Sequence, residues 1–155
     1  MIERKEYLDM LLRWKDKQVI KVITGIRRCG KSTLMEMFQQ HLLKQGVGQE
    51  HIIAVNLEDY DNMELRDPMM LHKHITGQAS PEGKTYVFLD EIQNVRDFPP
   101  MVDSLFTRKN LDLYITGSNA YMLSGEIATH LSGRYVTVDM LPLSFAEYVS
   151  WTGDE

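Results

Sequence analysis

One glycine-rich segment constrains this chain more than any other feature. Residues 25–32 read Gly-Ile-Arg-Arg-Cys-Gly-Lys-Ser, with two glycines separated by four residues and then a lysine and a serine. The segment follows a β-branched run at residues 19–24, and after it Leu34, Phe38 and Leu42 recur at helical spacing. A strand, a tight glycine turn and a helix are therefore predicted in that order, which is the local layout of a loop that binds phosphates.

The residue types in this segment suit the chemistry of phosphate binding. Gly25 and Gly30 allow the backbone to turn so that its N–H groups face phosphate oxygens. The helix that begins near Lys31 presents its positive end to the same anion. We expect Lys31 to neutralise the β- and γ-phosphates and the Ser32 hydroxyl to coordinate Mg²⁺. The predicted nucleotide-binding set is Gly25, Ile26, Arg27, Arg28, Cys29, Gly30, Lys31, Ser32 and Thr33.

An acidic pair follows the third predicted strand. Residues 85–89 are apolar at nearly every position, and Asp90 and Glu91 come directly after them. Asp90 is predicted to hold Mg²⁺ opposite Ser32, and a carboxylate at Glu91 can accept a proton from an attacking water. Acidic pairs are usually solvated loop residues. The position of this pair after a buried strand, together with residues 25–32, favours the catalytic interpretation.

Polar residues also follow the fourth predicted strand, at residues 111–116. Thr116, Ser118 and Asn119 are each candidates to hydrogen-bond the γ-phosphate or the attacking water, and Ser118 is the predicted catalytic member. The alternative is that Ser118 or Asn119 caps the next helix.

Three arginines each have two interpretations. Arg27 and Arg28 either have a role, which is to add positive potential at the phosphates or to reach a partner, or are ordinary solvated residues. Arg134 lies between a predicted helix at residues 120–131 and a predicted strand at residues 135–141. It is either an arginine finger that acts on the nucleotide of a neighbouring subunit, or a surface residue in an ion pair.

Strand and helix patterns alternate along the whole chain. Strands are predicted at residues 19–24, 51–55, 85–89, 111–116 and 135–141. Helices are predicted at residues 7–14, 31–43, 68–75, 100–107 and 120–131, and from residue 144. This alternation predicts an α/β fold with right-handed crossovers and a mostly parallel five-stranded sheet. In such a sheet the ligand lies beyond the carboxyl ends of the strands.

Composition excludes several other classes of protein. The chain has 155 residues, is 43% hydrophobic and has a net charge of −5, so we expect one folded domain over residues 1–155 and no basic DNA-binding face. A single cysteine excludes a disulfide framework, and the five histidines lack the spacing of a zinc site. No apolar run reaches the ~18 residues of a membrane helix, and the amino-terminal residues lack a signal-peptide core. We therefore expect a cytoplasmic protein without membrane contact.

The motifs occur in an order that resembles a known group. They are residues 25–32, 89–93 (Leu-Asp-Glu-Ile-Gln), 116–118 (Thr-Gly-Ser), 133–134 (Gly-Arg) and 141–145 (Leu-Pro-Leu-Ser-Phe). With them the chain resembles the prokaryotic AAA-superfamily ATPases related to the archaeal ATPases and the STAND-type NTPases. The resemblance implies a three-layer P-loop NTPase fold with strand order 5-1-4-3-2. It also implies Lys31 on the phosphates, Ser32 and Asp90 on Mg²⁺, Glu91 as base and a polar sensor near Ser118.

Members of this group look longer than this chain. The resemblance implies that residues 1–155 are the amino-terminal nucleotide-binding part of a protein whose carboxyl-terminal region would carry any partner or DNA binding. ATP is the implied nucleotide, and no Asn-Lys-x-Asp guanine-reading segment stands out in the sequence.

The expected function is Mg-dependent ATP hydrolysis, with the domain acting alone, as a homo-oligomer or with a partner protein. One alternative is a nucleotide-dependent switch or scaffold with little hydrolysis. Another is a small-molecule phosphotransferase, which is disfavoured because Glu91 suits a water better than a second substrate.

Overall fold

The computed structural model describes residues 2–26, 29–118 and 134–141. Within these ranges the strands are β1 (Ile20–Thr24), β2 (Ile52–Asn56), β3 (Thr85–Asp90), β4 (Leu111–Gly117) and β5 (Tyr135–Asp139). The helices are α1 (Ile2–Trp14), α2 (Lys31–Lys44), α3 (Pro68–Gln78) and α4 (Phe98–Phe106). Short 3₁₀ turns occupy Gln49–His51, Tyr60–Arg66 and Ile92–Asn94.

All five strands are parallel and form one sheet in the order β2-β3-β4-β1-β5. This arrangement confirms the predicted order 5-1-4-3-2. Every residue of β1, β3 and β4 is buried, as expected for parallel strands covered on both faces. The register aligns Thr24 with Gly117 and Asp139, and Asn56 with Asp90. The carboxyl ends of the strands therefore meet along one edge, which carries the candidate site.

Alternating side chains along the strands create two hydrophobic cores, one on each face of the sheet. On one face β-strand residues such as Val87 and Ile115 pack with Leu71 of α3 and Val102 of α4. On the other face the sheet packs against α1 and α2, where Phe38 contacts the stacked rings of Phe88 and Tyr114. The result is the predicted three-layer architecture.

Several element boundaries differ from the predictions. Helix α1 begins at Ile2 rather than residue 7, because charged residues with good helix propensity extend it beyond its apolar face. Helix α4 begins at Phe98 rather than residue 100, and its prolines lie in the first turn, where an N–H has no helical partner.

The 3₁₀ segment Tyr60–Arg66 was not predicted, since its residues follow neither helical nor strand spacing. The predicted helices at residues 120–131 and from residue 144 lie outside the described residues. Among the described helices, none has both the length and the apolar character that crossing a membrane requires.

Candidate active site

The glycine segment connects the end of β1 to the start of α2 at the carboxyl edge of the sheet. Gly30 has φ 98° and caps α2 in the left-handed region that favours glycine. A Cβ added at Gly25 would lie 2.4 Å from Cys29 Sγ and 3.1 Å from the Met140 carbonyl oxygen. The backbone therefore passes too close to its neighbours for a side chain at Gly25. Arg27 and Arg28 lie outside the described residues.

The other residues of the predicted nucleotide-binding set differ in exposure. Cys29 is fully buried in the core beside α2. Its backbone N–H donates to the Ile26 carbonyl oxygen over 3.3 Å. Ile26 and Thr33 are exposed. The loop thus combines a buried anchor with accessible positions.

Lys31 places its ammonium inside the turn of this loop. Its Nζ donates hydrogen bonds to the carbonyl oxygens of Gly25 at 2.9 Å and Ile26 at 3.1 Å, and lies 3.9 Å from Glu91 Oε2. The residue is only 4% exposed. A buried ammonium needs such partners because its desolvation is costly. The Lys31 ammonium is therefore held at the carboxyl edge of the sheet, between the glycine segment and Glu91.

Two hydroxyl groups hold the carboxylate of Asp90. Ser32 Oγ donates to Asp90 Oδ2, and Thr116 Oγ1 donates to Asp90 Oδ1, each over 2.5 Å. These contacts join the start of α2 to the ends of β3 and β4. Hydroxyl and carboxylate oxygens are the donors that Mg²⁺ prefers. The donor set therefore fits the expected magnesium ion.

Glu91 begins a tight turn after β3. Its backbone has φ 58° and ψ 57°, a left-handed conformation that is uncommon outside glycine. The Glu91 N–H donates to Thr116 Oγ1 over 2.8 Å, and Gln93 Nε2 donates to Glu91 Oε1 over 2.7 Å. The side chain is 12% exposed. The Glu91 carboxylate thus lies between an ammonium and an amide at the edge of the sheet.

A cavity of about 220 Å³ opens between α2 and strands β2 and β3. Ser32, Glu36, Asn56 and Asp90 contribute polar groups to its lining, and Phe88 contributes an apolar wall. Accessible space therefore lies directly beside the Ser32–Asp90 pair.

The structure does not bring all of the predicted catalytic residues together. Ser118 is half-buried and directly follows β4, at the correct edge of the sheet, but Thr116 makes the hydrogen bonds to Asp90 and Glu91. Arg134 precedes β5 at the opposite, amino-terminal edge, where its Nη1 lies 2.5 Å from Asp103 Oδ1 of α4. Arg134 is therefore remote from the Lys31–Glu91 pair of its own chain.

Two residues at the carboxyl edge were not singled out from the sequence. Gln93 lies within the Leu-Asp-Glu-Ile-Gln motif without a predicted role, and it contacts Glu91. Asp139 accepts a hydrogen bond from Thr24 Oγ1 across the β1–β5 pairing, next to Gly25. The motif pointed to Gln93 by its position alone, whereas only the strand register reveals Asp139.

Two curated proteins are similar to the chain over most of its length. An uncharacterized protein of Haemophilus influenzae is 42% identical over 150 residues, which cover 96% of this chain and 38% of that protein. An uncharacterized protein of Methanocaldococcus jannaschii is 33% identical over 135 residues, which cover 85% of this chain and 28% of that protein. The chain therefore spans about two fifths or less of these relatives.

Solved structures share the fold at low sequence identity. Caenorhabditis elegans PCH-2 matches with a TM-score of 0.65 and 14% identity, over 96% of this chain and 44% of that one. Hsp104, solved with ATPγS and FITC-casein, matches with a TM-score of 0.65 and 18% identity, over 95% of this chain and 28% of that one. The sequence model of the AAA domain family matches residues 17–149, which is most of the described fold. The chain therefore belongs to the AAA domain family.

Proposed function

We propose that this domain binds Mg·ATP and hydrolyses it, with an attacking water activated by Glu91. The observation that carries the proposal is the 3.9 Å approach of Lys31 Nζ to Glu91 Oε2, beside the Ser32–Asp90 hydrogen bond. Lys31, Ser32, Asp90 and Glu91 thus lie at one sheet edge. Their residue types suit a cation that binds phosphate, two magnesium ligands and a carboxylate base. Their chemistry matches the parts that phosphoryl transfer to water requires.

The glycine loop and the Ser32–Asp90 pair bind different parts of Mg·ATP in this proposal. The backbone N–H groups of residues 25–30 and the Lys31 ammonium bind phosphate oxygens and balance their charge. Ser32 and Asp90 would hold the magnesium ion, which when bound supplies positive charge to the phosphate oxygens. Thr116 fixes Asp90 by donating to the second carboxylate oxygen.

Glu91 orients the attacking water and accepts its proton. Its backbone N–H donates to Thr116 Oγ1, and its carboxylate lies 3.9 Å from the Lys31 ammonium, which in this proposal contacts the phosphates. A base held in this geometry raises the fraction of productive encounters between water and phosphorus. Ser118, at the same edge, supplies a further polar contact to the γ-phosphate or the water.

Arg134 acts, in this proposal, on the nucleotide of a neighbouring subunit. Its position at the opposite edge of the sheet supports action on another copy rather than on its own site. Its exposed pair with Asp103 supports the alternative, a surface ion pair worth ~0–1 kcal/mol. A homo-oligomer whose specific activity rises with protein concentration would favour the first role.

The described domain is, we propose, the nucleotide-binding part of a longer protein, as its partial coverage of the curated relatives suggests. Any binding of DNA or a partner protein would then belong to the remaining region. A cytoplasmic location, where Mg·ATP is abundant, is part of the same proposal.

Phosphate release from Mg·ATP tests the proposed reaction. Glu91→Gln should retain ATP binding and lose turnover by ~10²-fold or more, because the base is removed. Glu82→Gln, at an exposed position in the turn before β3 and so at the opposite edge of the sheet, is the matched control and should behave as wild type. Equal, low turnover in wild type and Glu91→Gln, with ATP binding intact, would contradict hydrolysis and favour the nucleotide-dependent switch.

A further inference from the structure

Gln93 has one side-chain atom paired with the proposed base and one that is unpaired. Its Nε2 donates to Glu91 Oε1 over 2.7 Å. Its Oε1 is buried and has no hydrogen-bond partner. Among the buried side-chain nitrogen and oxygen atoms of the described residues, it alone is in this state. Buried acceptors without partners are rare in folded proteins, and each calls for an explanation.

The orientation of this amide is determined by the carboxylate beside it. Rotating the amide by 180° would bring Gln93 Oε1 against Glu91 Oε1, and two acceptors cannot hydrogen-bond each other. The nitrogen therefore faces Glu91, and the unpaired oxygen is left as an acceptor close to the carboxylate. That oxygen is closed to water in this conformation, so the amide acts on Glu91 through its nitrogen.

The contacts of Glu91 differ between its two oxygens. Oε1 is held by Gln93, whereas Oε2 lies 3.9 Å from Lys31, beyond a direct hydrogen bond. Lys31 also has the phosphates to neutralise in the proposed reaction. Among the described side chains, Gln93 then remains to orient the carboxylate, because Thr116 and Asn94 contact only the backbone of Glu91.

We propose that Gln93 is a positioning residue for ATP hydrolysis, which holds the Glu91 carboxylate through Nε2 in the orientation that activates the attacking water. The proposal rests on the proposed function of Glu91. It assigns a role to the fifth residue of the Leu-Asp-Glu-Ile-Gln motif, through the hydrogen bond that joins the Gln93 and Glu91 side chains.

The test compares Gln93→Met with wild type. Methionine has a similar length and volume but neither donates nor accepts a strong hydrogen bond. We expect kcat to fall by ~10–100-fold while the Kd for Mg·ATPγS stays within about twofold, because orientation and not binding is lost. Gln18→Met is the matched control, since Gln18 Nε2 donates to the Phe106 carbonyl oxygen on the exposed surface.

A double-mutant cycle with Glu91→Gln separates positioning from a general structural effect. If Gln93 acts through Glu91, Gln93→Met should lower kcat in the wild-type background and have little further effect in the Glu91→Gln background. An equal loss in both backgrounds, or no loss in the first, would overturn the proposal. If Gln93→Met fails to fold, Gln93→Asn, whose shorter amide cannot span the same distance, should show the same pattern.

The outcomes also distinguish this proposal from the proposed function. Equal turnover in wild type and Glu91→Gln would remove the role of Glu91, and that of Gln93 with it. Turnover that depends on Glu91 but is unchanged in Gln93→Met would overturn the role of Gln93 alone.

Discussion

Lys21 of β1 and Asp112 of β4 form an ion pair in the protein interior, near the sheet edge opposite the candidate active site. Lys21 is 0% exposed and Asp112 is 2% exposed, and Lys21 Nζ contacts Asp112 Oδ1. Lys21 also donates to the Lys17 carbonyl oxygen at 2.8 Å, while Tyr114 and the Asp16 N–H donate to Asp112 Oδ2. Burial lowers the pKa of Lys21, and the Asp112 charge opposes that effect. The pair connects two neighbouring strands to the end of α1.

Asp112→Asn should therefore destabilise the fold strongly. The change leaves a buried ammonium without its counter-charge, which costs about 3–5 kcal/mol in the free energy of unfolding. Urea unfolding measures the loss. Asp103→Asn is the matched control, because its pair with Arg134 is exposed and is worth ~0–1 kcal/mol. Similar losses in the two variants would contradict the importance of burial.

Because the Tyr114 side chain is buried, we expect the fold to lose stability at alkaline pH. Burial, followed by the nearby Asp112 charge, raises the pKa of Tyr114 well above 10.0. Above pH 10 the unfolded chain loses the Tyr114 proton while the folded chain keeps it. The contribution of this group to the free energy of unfolding is therefore fully present below pH 10. It falls as the pH rises, by at most ~1.4 kcal/mol per pH unit. Unfolding of wild type and Tyr114→Phe at pH 8 and 11 should show a shallower fall for the variant. Tyr60→Phe, at an 82% exposed position, should match wild type.

Asp90→Asn should change the magnesium requirement of turnover. The amide removes the negative charge that Ser32 and Thr116 hold in place, so binding of a divalent cation weakens. We expect half-maximal phosphate release to need at least ~10-fold more Mg²⁺, since loss of a charged ligand weakens a site by about this factor or more. Asp97→Asn, an exposed aspartate after the same strand, should leave the requirement unchanged. An unchanged magnesium curve for Asp90→Asn would remove Asp90 as a ligand.

Gly25→Ala and Gly77→Ala should have opposite effects on stability. The new Cβ at position 25 meets Cys29 Sγ at 2.4 Å, and overpacking of this kind costs about 1–3 kcal/mol. Position 77 lies in α3 with no atom within 4 Å of an added Cβ, so alanine should stabilise the helix by ~0.5–1 kcal/mol. Thermal unfolding of both variants measures these shifts. Stabilisation by Gly25→Ala would contradict the close approach.

The local pattern was sufficient for most of the fold. The alternation of strands and helices, the glycine turn and the positions of Asp90 and Glu91 at the carboxyl edge were predicted, because β-branched runs and helical spacing are readable over short windows. The order of the strands in the sheet was implied by the family resemblance alone. Element ends were less predictable. Helix α1 extends to Ile2 through residues whose spacing carries no apolar signal.

Side-chain pairings could not be predicted in the same way. Thr116 rather than Ser118 contacts Asp90 and Glu91, although both hydroxyl residues lie at the carboxyl end of the same apolar strand and have similar chemistry. Thr116 is the last but one residue of β4, whereas Ser118 lies just beyond the end of that strand. Which of the two lies beside Asp90 depends on the register between β3 and β4.

The sequence by itself determined the order of strands and helices, the glycine turn and the identity of the candidate phosphate and magnesium ligands, because those signals lie within a few neighbouring residues. Only the tertiary structure decided that Lys21 pairs with Asp112, 91 residues away, and that Thr24 pairs with Asp139, 115 residues away. It also decided which side of the Gln93 amide faces Glu91. Such contacts depend on strand register and on which polar groups must find partners once water is excluded, and both are properties of the packed sheet.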